Sequence, residues 1–367
     1  MISPEEVSAL ETVVIALGLA IGIGLGWVAR YSGFCTLGAI SDWYAGSDIS
    51  RLRMWLLAIT TAIVGTQALI LTGSIEIQES FYTAPRLFWL SNIVGGLLFG
   101  FGMVLASGCG SRTLIRIGGG SLKALVVFIV MAIFAYMTMR GIFAVLRVET
   151  IEKISLALPM PQDLPSLLQA DRLITALTIA VIFLIFILKS PEFRSQPRLI
   201  VGGISIGLLV TAAWYTTGHI GFIEEDPNTL EARFVATNTR GVESLTFVAP
   251  LAYWIDLFMF WSDTSRTFTF SIMTVTGVVL GAWVHAVMSK SFRLEGFLDR
   301  DDLVVHLVGA AMMGAGGVVA FGCTIGQGIS GLSLLAAGSL LATLSIVAGA
   351  WLGLRWTERR AWFLRLR

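Results

Sequence analysis

Nine stretches of mainly apolar residues run through this chain, each close to the ~20 residues a helix needs to cross a bilayer. They fall at 13–29, 54–73, 88–107, 124–139, 173–188, 199–217, 267–289, 303–321 and 334–354. The fourth and fifth are short, so they are expected to extend past their flanking charges or to sit partly inside protein. The composition agrees: 56% of residues are hydrophobic and only 13% charged, and the mean hydropathy is +0.82. A soluble domain carries about 25% charged residues. The fold class read from this pattern is all-α, a polytopic membrane protein with about nine transmembrane helices in a single integral membrane domain over 1–367. The net charge of +1 offers no basic stripe for a nucleic acid. The first residues carry Glu5, Glu6 and Glu11 and no Lys or Arg, so the first stretch reads as a retained helix rather than a secretory signal.

Lys and Arg in the short loops set the orientation. Arg355, Arg359, Arg360, Arg365 and Arg367 mark a cytoplasmic tail at 356–367. Counting back through nine spans puts the N-terminus outside. Arg30, Arg51, Arg53, Lys189, Arg194, Arg198, Lys290 and Arg293 then lie inside, and the acidic loop 218–241 outside. Arg140 and Arg147 break the pattern by falling outside. The expected location is the cell inner (plasma) membrane.

The chain repeats itself. At an offset of 214, Gly95, Gly100, Gly102, Ala106, Gly108 and Cys109 match Gly309, Gly314, Gly316, Ala320, Gly322 and Cys323 without a gap. At an offset of 185, Gly18, Gly22 and Gly33 match Gly203, Gly207 and Gly218. The first repeat is expected over 10–140, a connector with a linking helix over 141–197, and the second repeat over 198–355. With one helix between them, the repeats run in opposite directions. Inverted-topology repeats are the architecture of many transporters, with the path at mid-membrane between them.

The three cysteines all stand at glycine turns: Gly33-Phe-Cys35, Gly108-Cys109-Gly110, and Gly322-Cys323-Thr-Ile-Gly326. Each turn is followed by a stretch too polar, too short or too glycine-rich to span, as is the segment 245–256, which lacks a cysteine. These four are read as re-entrant half-helices, because irregular backbone at membrane depth survives only where protein or a water-filled cavity surrounds it. Glycine allows φ > 0 at such turns and close approach of a solute. Half-helices entering from both faces aim their N-termini at the centre, where unpaired N–H groups suit an anion. A thiol adds a weak donor on a soft atom, a better match for a sulfur terminus than for a hard oxyanion. A lone membrane cysteine is more often a small hydrophobe than a ligand, and glycine stripes often serve only helix packing. Here all three cysteines cluster at turns, which favours a role. No C-x-x-C occurs, and His219, His285 and His306 stand far apart, so no metal or cofactor is expected. Arg112 and Arg116 read as topology markers, with Arg112 near enough to Cys109 to draw anions. Asp42 and Asp256 read as caps or ion-pair partners.

In Gly33-Phe-Cys-Thr-Leu-Gly38, Ser107-Gly-Cys-Gly110, Phe321-Gly-Cys-Thr-Ile-Gly-Gln-Gly328 and Ser244-Leu-Thr-Phe-Val-Ala-Pro250, the chain resembles the YeeE/YedE family of membrane proteins. The resemblance implies an hourglass of two inverted repeats and a substrate such as thiosulfate or a related sulfur or selenium species, passed between thiols at a central constriction. Carried over by motif, the substrate-binding residues are Cys35, Cys109, Cys323, Gly33, Gly108, Gly110, Gly322 and Gly326. It also implies a partner, a small TusA-like sulfur carrier, which is not fused to this chain. The readings set against transport are a membrane sulfur-transfer enzyme using a low-pKa thiolate and an accessory subunit of a sulfur or selenium complex.

Overall fold

A computed structural model describes residues 3–227, 230–263 and 266–365. Leu366 and Arg367 of the expected tail, and positions 228 and 229 of the acidic loop, lie outside them. The first half is built from α1 (Pro4–Ser32), the half-helix α2 (Thr36–Tyr44), α3 (Ser50–Leu71), α4 (Trp89–Leu105), the half-helix α5 (Gly110–Gly118) and α6 (Leu122–Met139). Two short helices, α7 (Ile142–Leu146) and α8 (Leu164–Leu168), precede the linking helix α9 (Arg172–Leu188), and α10 (Pro191–Arg194) follows it. The second half has α11 (Pro197–Tyr215), the half-helix α12 (Ala249–Met259), α13 (Phe270–Met288), α14 (Arg300–Val319), a π-helical turn (Gly326–Gly331) and α15 (Ala337–Arg365). Two minimal antiparallel strand pairs, Arg86–Leu87 with Leu156–Ala157 and Phe222–Ile223 with Arg233–Phe234, tie down loops.

Eight helical stretches among the described residues are long and apolar enough to cross a membrane, and α9 adds a shorter apolar helix of 17 residues. The two stretches that looked short in sequence do take in their flanking charges. α6 starts at Leu122, with Ser121 capping it and Lys123 in its first turn, and α9 starts at Arg172, capped by Asp171. α15 continues as helix past the end of its apolar stretch.

The halves pack in matched fashion. α1 lies on α13 as α11 lies on α3, and α4 on α15 as α14 on α6. Where α4 crosses α14, Gly95 meets Gly316 and Ala320, and Gly309 meets Gly102 and Ala106. Rising numbers on one helix meet falling numbers on the other, so the equivalent helices are antiparallel and the two halves have inverted topology. A Cβ at Gly95 would sit 2.3 Å from the Ala320 amide nitrogen, and one at Gly309 2.6 Å from that of Ala106. Helix backbones in lipid gain little from hydrophobic burial and associate by such close packing instead.

The bundle has two distinct ends. The C-termini of α1 and α13 meet the N-termini of α6 and α14 at one end, through Arg30 to Ser291 and Lys123 to Asp302. This end carries Arg51, Arg116, Arg198 and Arg293. The other end carries the excess of acidic residues, and Arg140 and Arg147, which broke the charge pattern, are both paired there, with Asp256 at 3.4 Å and Glu152 at 3.0 Å.

Candidate functional site

The two Gly-Cys turns superpose in their bonding. In the first, Ser107 N–H donates to Val104 and Gly108 N–H to Met103; in the second, Phe321 N–H donates to Val318 and Gly322 N–H to Gly317. Every partner is shifted by 214, the offset found in sequence. The left-handed residue in each turn is not the glycine, as expected, but the residue before it: Ser107 at φ 56° and Phe321 at φ 57°. The helix before each turn ends by a carbonyl-to-amide wrap that forces that position into the left-handed region, and the following glycine serves space instead. Gly33 alone of the site glycines takes the expected conformation, at φ 71° as the C-cap of α1.

Each cysteine opens a half-helix. Cys35 is the N-cap of α2, its Sγ accepting the Gly38 N–H at 3.2 Å. Cys109 is the N-cap of α5, is 2% exposed, and shares a hydrogen bond of 3.3 Å with the Ser111 hydroxyl. Cys323 is fully buried, and its Sγ accepts the Gly326 N–H at 3.5 Å. The Ile325 and Phe247 amides also point at it. Cys109 is within electrostatic range of both other thiols. All three are free thiols.

The fourth half-helix, α12, begins after Val248, without a capping side chain. Phe247 just ahead of it is fully buried, and its carbonyl would stand 3.1 Å from a Cβ on Gly110. The N-termini of α5 and α12 therefore meet, with the Cys323 turn against the same strand of backbone. A Cβ on Gly326 would fall 2.6 Å from the Thr246 hydroxyl and 3.1 Å from that of Tyr82. Gly108 and Gly322 face the side chains of Arg112 and Gln327, which would each stand 3.0 Å from a Cβ added there. Of the eight expected site residues, six thus lie about one junction of three chain segments, and Cys35 heads α2. Gly33 lies apart, at a mouth of about 650 Å³ that it lines with Asp42, Arg51 and Arg198.

A second cavity of about 370 Å³ opens from the opposite end, and Tyr82, Thr246, Tyr253, Phe321, Gly322 and Gln327 line it. The junction of half-helices stands between the two openings. Sequence reasoning missed several residues here. Gln327 donates to the Ala320 carbonyl at 2.7 Å and accepts from Ser339 at 2.6 Å, binding the Cys323 turn to α14 and α15. Glu243, also on this cavity and 5% exposed, accepts the amides of Asn238 and Thr239 at 2.7 and 2.6 Å and the Ser271 hydroxyl. The signal for it was available: a lone acid directly ahead of the Ser244–Pro250 motif. Asp42 and Asp256 are ion-pair partners, as expected, with Arg51 at 3.5 Å and Arg266 at 3.1 Å, and so anchor the two half-helices α2 and α12 alike.

The profile of the sulphur transport family matches residues 31–352, which contain all four half-helices and every cysteine. The chain belongs to the sulphur transport family. It is 26% identical over 348 residues to the thiosulfate transporter TsuA of Escherichia coli (strain K12), covering 92% of this chain and 93% of that protein. It is 26% identical over 345 residues to the thiosulfate transporter TsuA of Spirochaeta thermophila, covering 91% and 96%. A third relative, a probable transporter YedE of Salmonella typhimurium, is 25% identical over 111 residues, 30% of this chain and 25% of that one. The family and these relatives are transporters rather than enzymes.

Proposed function

We propose that the chain carries thiosulfate, or a related small sulfur-containing anion, across the cell inner membrane past Cys109, Cys323 and Cys35. The observation that carries this reading is the meeting of the α5 and α12 N-termini with the Cys109 and Cys323 turns, between openings at opposite ends of the bundle. Such N-termini supply N–H donors and partial positive charge without a buried cation. The thiols supply soft, weakly hydrated donors for the sulfur end of the anion. The anion is handed along by exchange of hydrogen bonds, with no covalent step required. In this reading Gly108, Gly110, Gly322 and Gly326 keep the junction narrow but open, because a side chain at Gly110 or Gly326 would meet a neighbouring segment and one at Gly108 or Gly322 the Arg112 or Gln327 side chain.

The working units of this reading are the repeats 10–140 and 198–355, joined by 141–197. The N-terminus faces outward and the C-terminus the cytoplasm, so the Gly33 mouth delivers the anion inside. A small TusA-like sulfur carrier is the expected recipient there. The test is uptake into liposomes holding this protein alone. Intact thiosulfate inside the vesicles supports transport. Sulfite or protein-bound sulfur favours the enzyme reading, and neither favours an accessory subunit.

A further inference from the structure

The cavity that leads to the Cys323 turn is lined by two charged side chains among the described residues, Arg147 and Glu243. They differ in what they have left to give. Glu243 is 5% exposed and spends its carboxylate on the Asn238 and Thr239 amides and the Ser271 hydroxyl. Arg147 opens a π-helical turn (Arg147–Ile151) that follows α7, and it pairs with Glu152 at 3.0 Å. The two side chains are 16% and 15% exposed. Glu152 engages one guanidinium nitrogen, and neither Arg147 Nε nor Glu152 Oε1 has a hydrogen-bond partner. The arginine fork is therefore not closed around the acid, and most of its five N–H donors are unspent.

The placing of the pair decides what an anion would meet. Arg147 lines the cavity and Glu152 does not. The same arginine, again without the glutamate, lines an apolar groove of about 310 Å³ with Leu98, Phe134, Phe143, Met312 and Val319. From a distance the pair is neutral. From within the cavity it is a dipole with its cation forward. Apolar walls strengthen the field of such a charge and raise the local concentration of its counter-ion. Here Phe81, Phe88 and Phe321 supply such walls, and Gly322 and Gln327 of the Cys323 turn stand on the same cavity.

We propose that Arg147 is the capture residue of the entry cavity, holding the oxygens of an incoming small oxyanion before it reaches the Cys323 turn. Glu152, behind it, steadies the guanidinium and weakens its grip on the anion, which favours release inward. The inference rests on the transport reading above and adds to it a residue outside every cysteine motif. A guanidinium reads charge and oxygen geometry rather than sulfur. Capture therefore takes small oxyanions as a class and leaves the recognition of sulfur to the thiols.

The test is calorimetric titration of thiosulfate into the full chain purified in detergent, where membrane orientation plays no part. Arg147→Gln should weaken binding about tenfold, the scale of one charge-assisted hydrogen bond. Arg147→Lys should recover part of the loss, keeping charge without the fork. Glu152→Gln should bind at least as tightly as the parent. A purely structural ion pair gives another pattern, because either Gln variant breaks it and both should then weaken binding alike. Elution as a single species reports the fold; where Arg147→Gln fails it, weaker binding by Arg147→Lys than by Glu152→Gln carries the proposal, and equal binding by the two overturns it. Unchanged binding in Arg147→Gln, equal weakening in both Gln variants, or no binding by the parent also overturns it. Uptake by the wild-type chain in liposomes is measured alongside. Uptake with binding that ignores Arg147 removes the capture role alone, whereas Arg147-dependent binding without uptake removes the transport reading and leaves an oxyanion site.

Discussion

Gln327 and the cysteines separate two roles that look alike at the level of a single side chain. Gln327 is 3% exposed and spends its amide on Ala320 and Ser339, so its replacement acts on the shape of the turn. Gln327→Leu strands a buried carbonyl and a buried hydroxyl, a cost of about 1–3 kcal/mol for each group left unpaired. A lowered unfolding temperature in detergent, together with lost uptake, is the expected result. The cysteines differ. As a small hydrophobe, a buried cysteine cut back to alanine costs about 1 kcal/mol, near the value of one methylene. Cys109→Ala and Cys323→Ala are therefore expected to leave the protein folded while thiosulfate uptake falls at least tenfold. Cys→Ser keeps a donor but makes it hard and strongly hydrated, so partial rescue is expected. A Cys109→Ala, Cys323→Ala double variant with wild-type uptake would remove the relay. All three cysteines were visible in sequence because each stands at a glycine turn. Gln327 was visible only as a letter in a motif, since its bonds run to residues 7 and 12 positions away on two other elements.

Elements in this molecule are held by glycine at their crossings and by ion pairs at the half-helix ends. Gly309→Leu would drive a side chain into the Ala106 amide, 2.6 Å from the Cβ position, and should prevent stable insertion. Gly296→Ala is the fitting control, since nothing lies within 4 Å of its Cβ position. A glycine chosen merely for distance from the cysteines does not serve: at Gly18 the Cβ would sit 2.9 Å from the Phe270 carbonyl. Protein yield in the membrane fraction and elution as a single species measure both outcomes. The ion pairs give a graded comparison. Asp256 is 6% exposed and faces both Arg140 and Arg266, whereas Asp42 is 28% exposed and faces Arg51 alone. Asp256→Asn should therefore lower thermal stability by several degrees, and Asp42→Asn should act within error of the parent, as exposed pairs contribute about 0–1 kcal/mol. The long helices and the repeat were legible because hydrophobic period and a gapless offset are local signals. The start of α12 at Ala249 and the approach of Phe247 to Gly110 were not, because they depend on how an extended strand packs among distant elements of its own half and reaches the first.

At the scale of the whole molecule the charges argue for one orientation. Basic side chains crowd the end where α1 and α13 terminate, and acids crowd the other. The exceptions weaken no part of this, because a basic residue counts toward orientation through its free charge near the membrane surface. Arg140 and Arg266 share Asp256, with Asp263 also against Arg266, and Arg147 pairs with Glu152, so each cluster enters the balance as neutral. Lys153 likewise pairs with Glu149. The unpaired excess is left at the end that carries Arg198, Lys290, Arg293 and the C-terminal part of α15. That end is expected to face the cytoplasm, and the loop around Glu224 and Glu225 the outside. The inverted halves sharpen the check, since each half contributes an end to both faces. The measurement is labelling of single introduced cysteines in intact cells with a membrane-impermeant maleimide, on a background in which Cys35, Cys109 and Cys323 are alanine. Glu225→Cys should label without lysis and Glu358→Cys only after it. The reverse pattern would turn the molecule over and make the Gly33 mouth its entrance. Breaking a pair supplies the second arm. Glu152→Gln frees the Arg147 charge outside, and if charge sets the orientation, a fraction of the inverted form should then label at Glu358→Cys in intact cells.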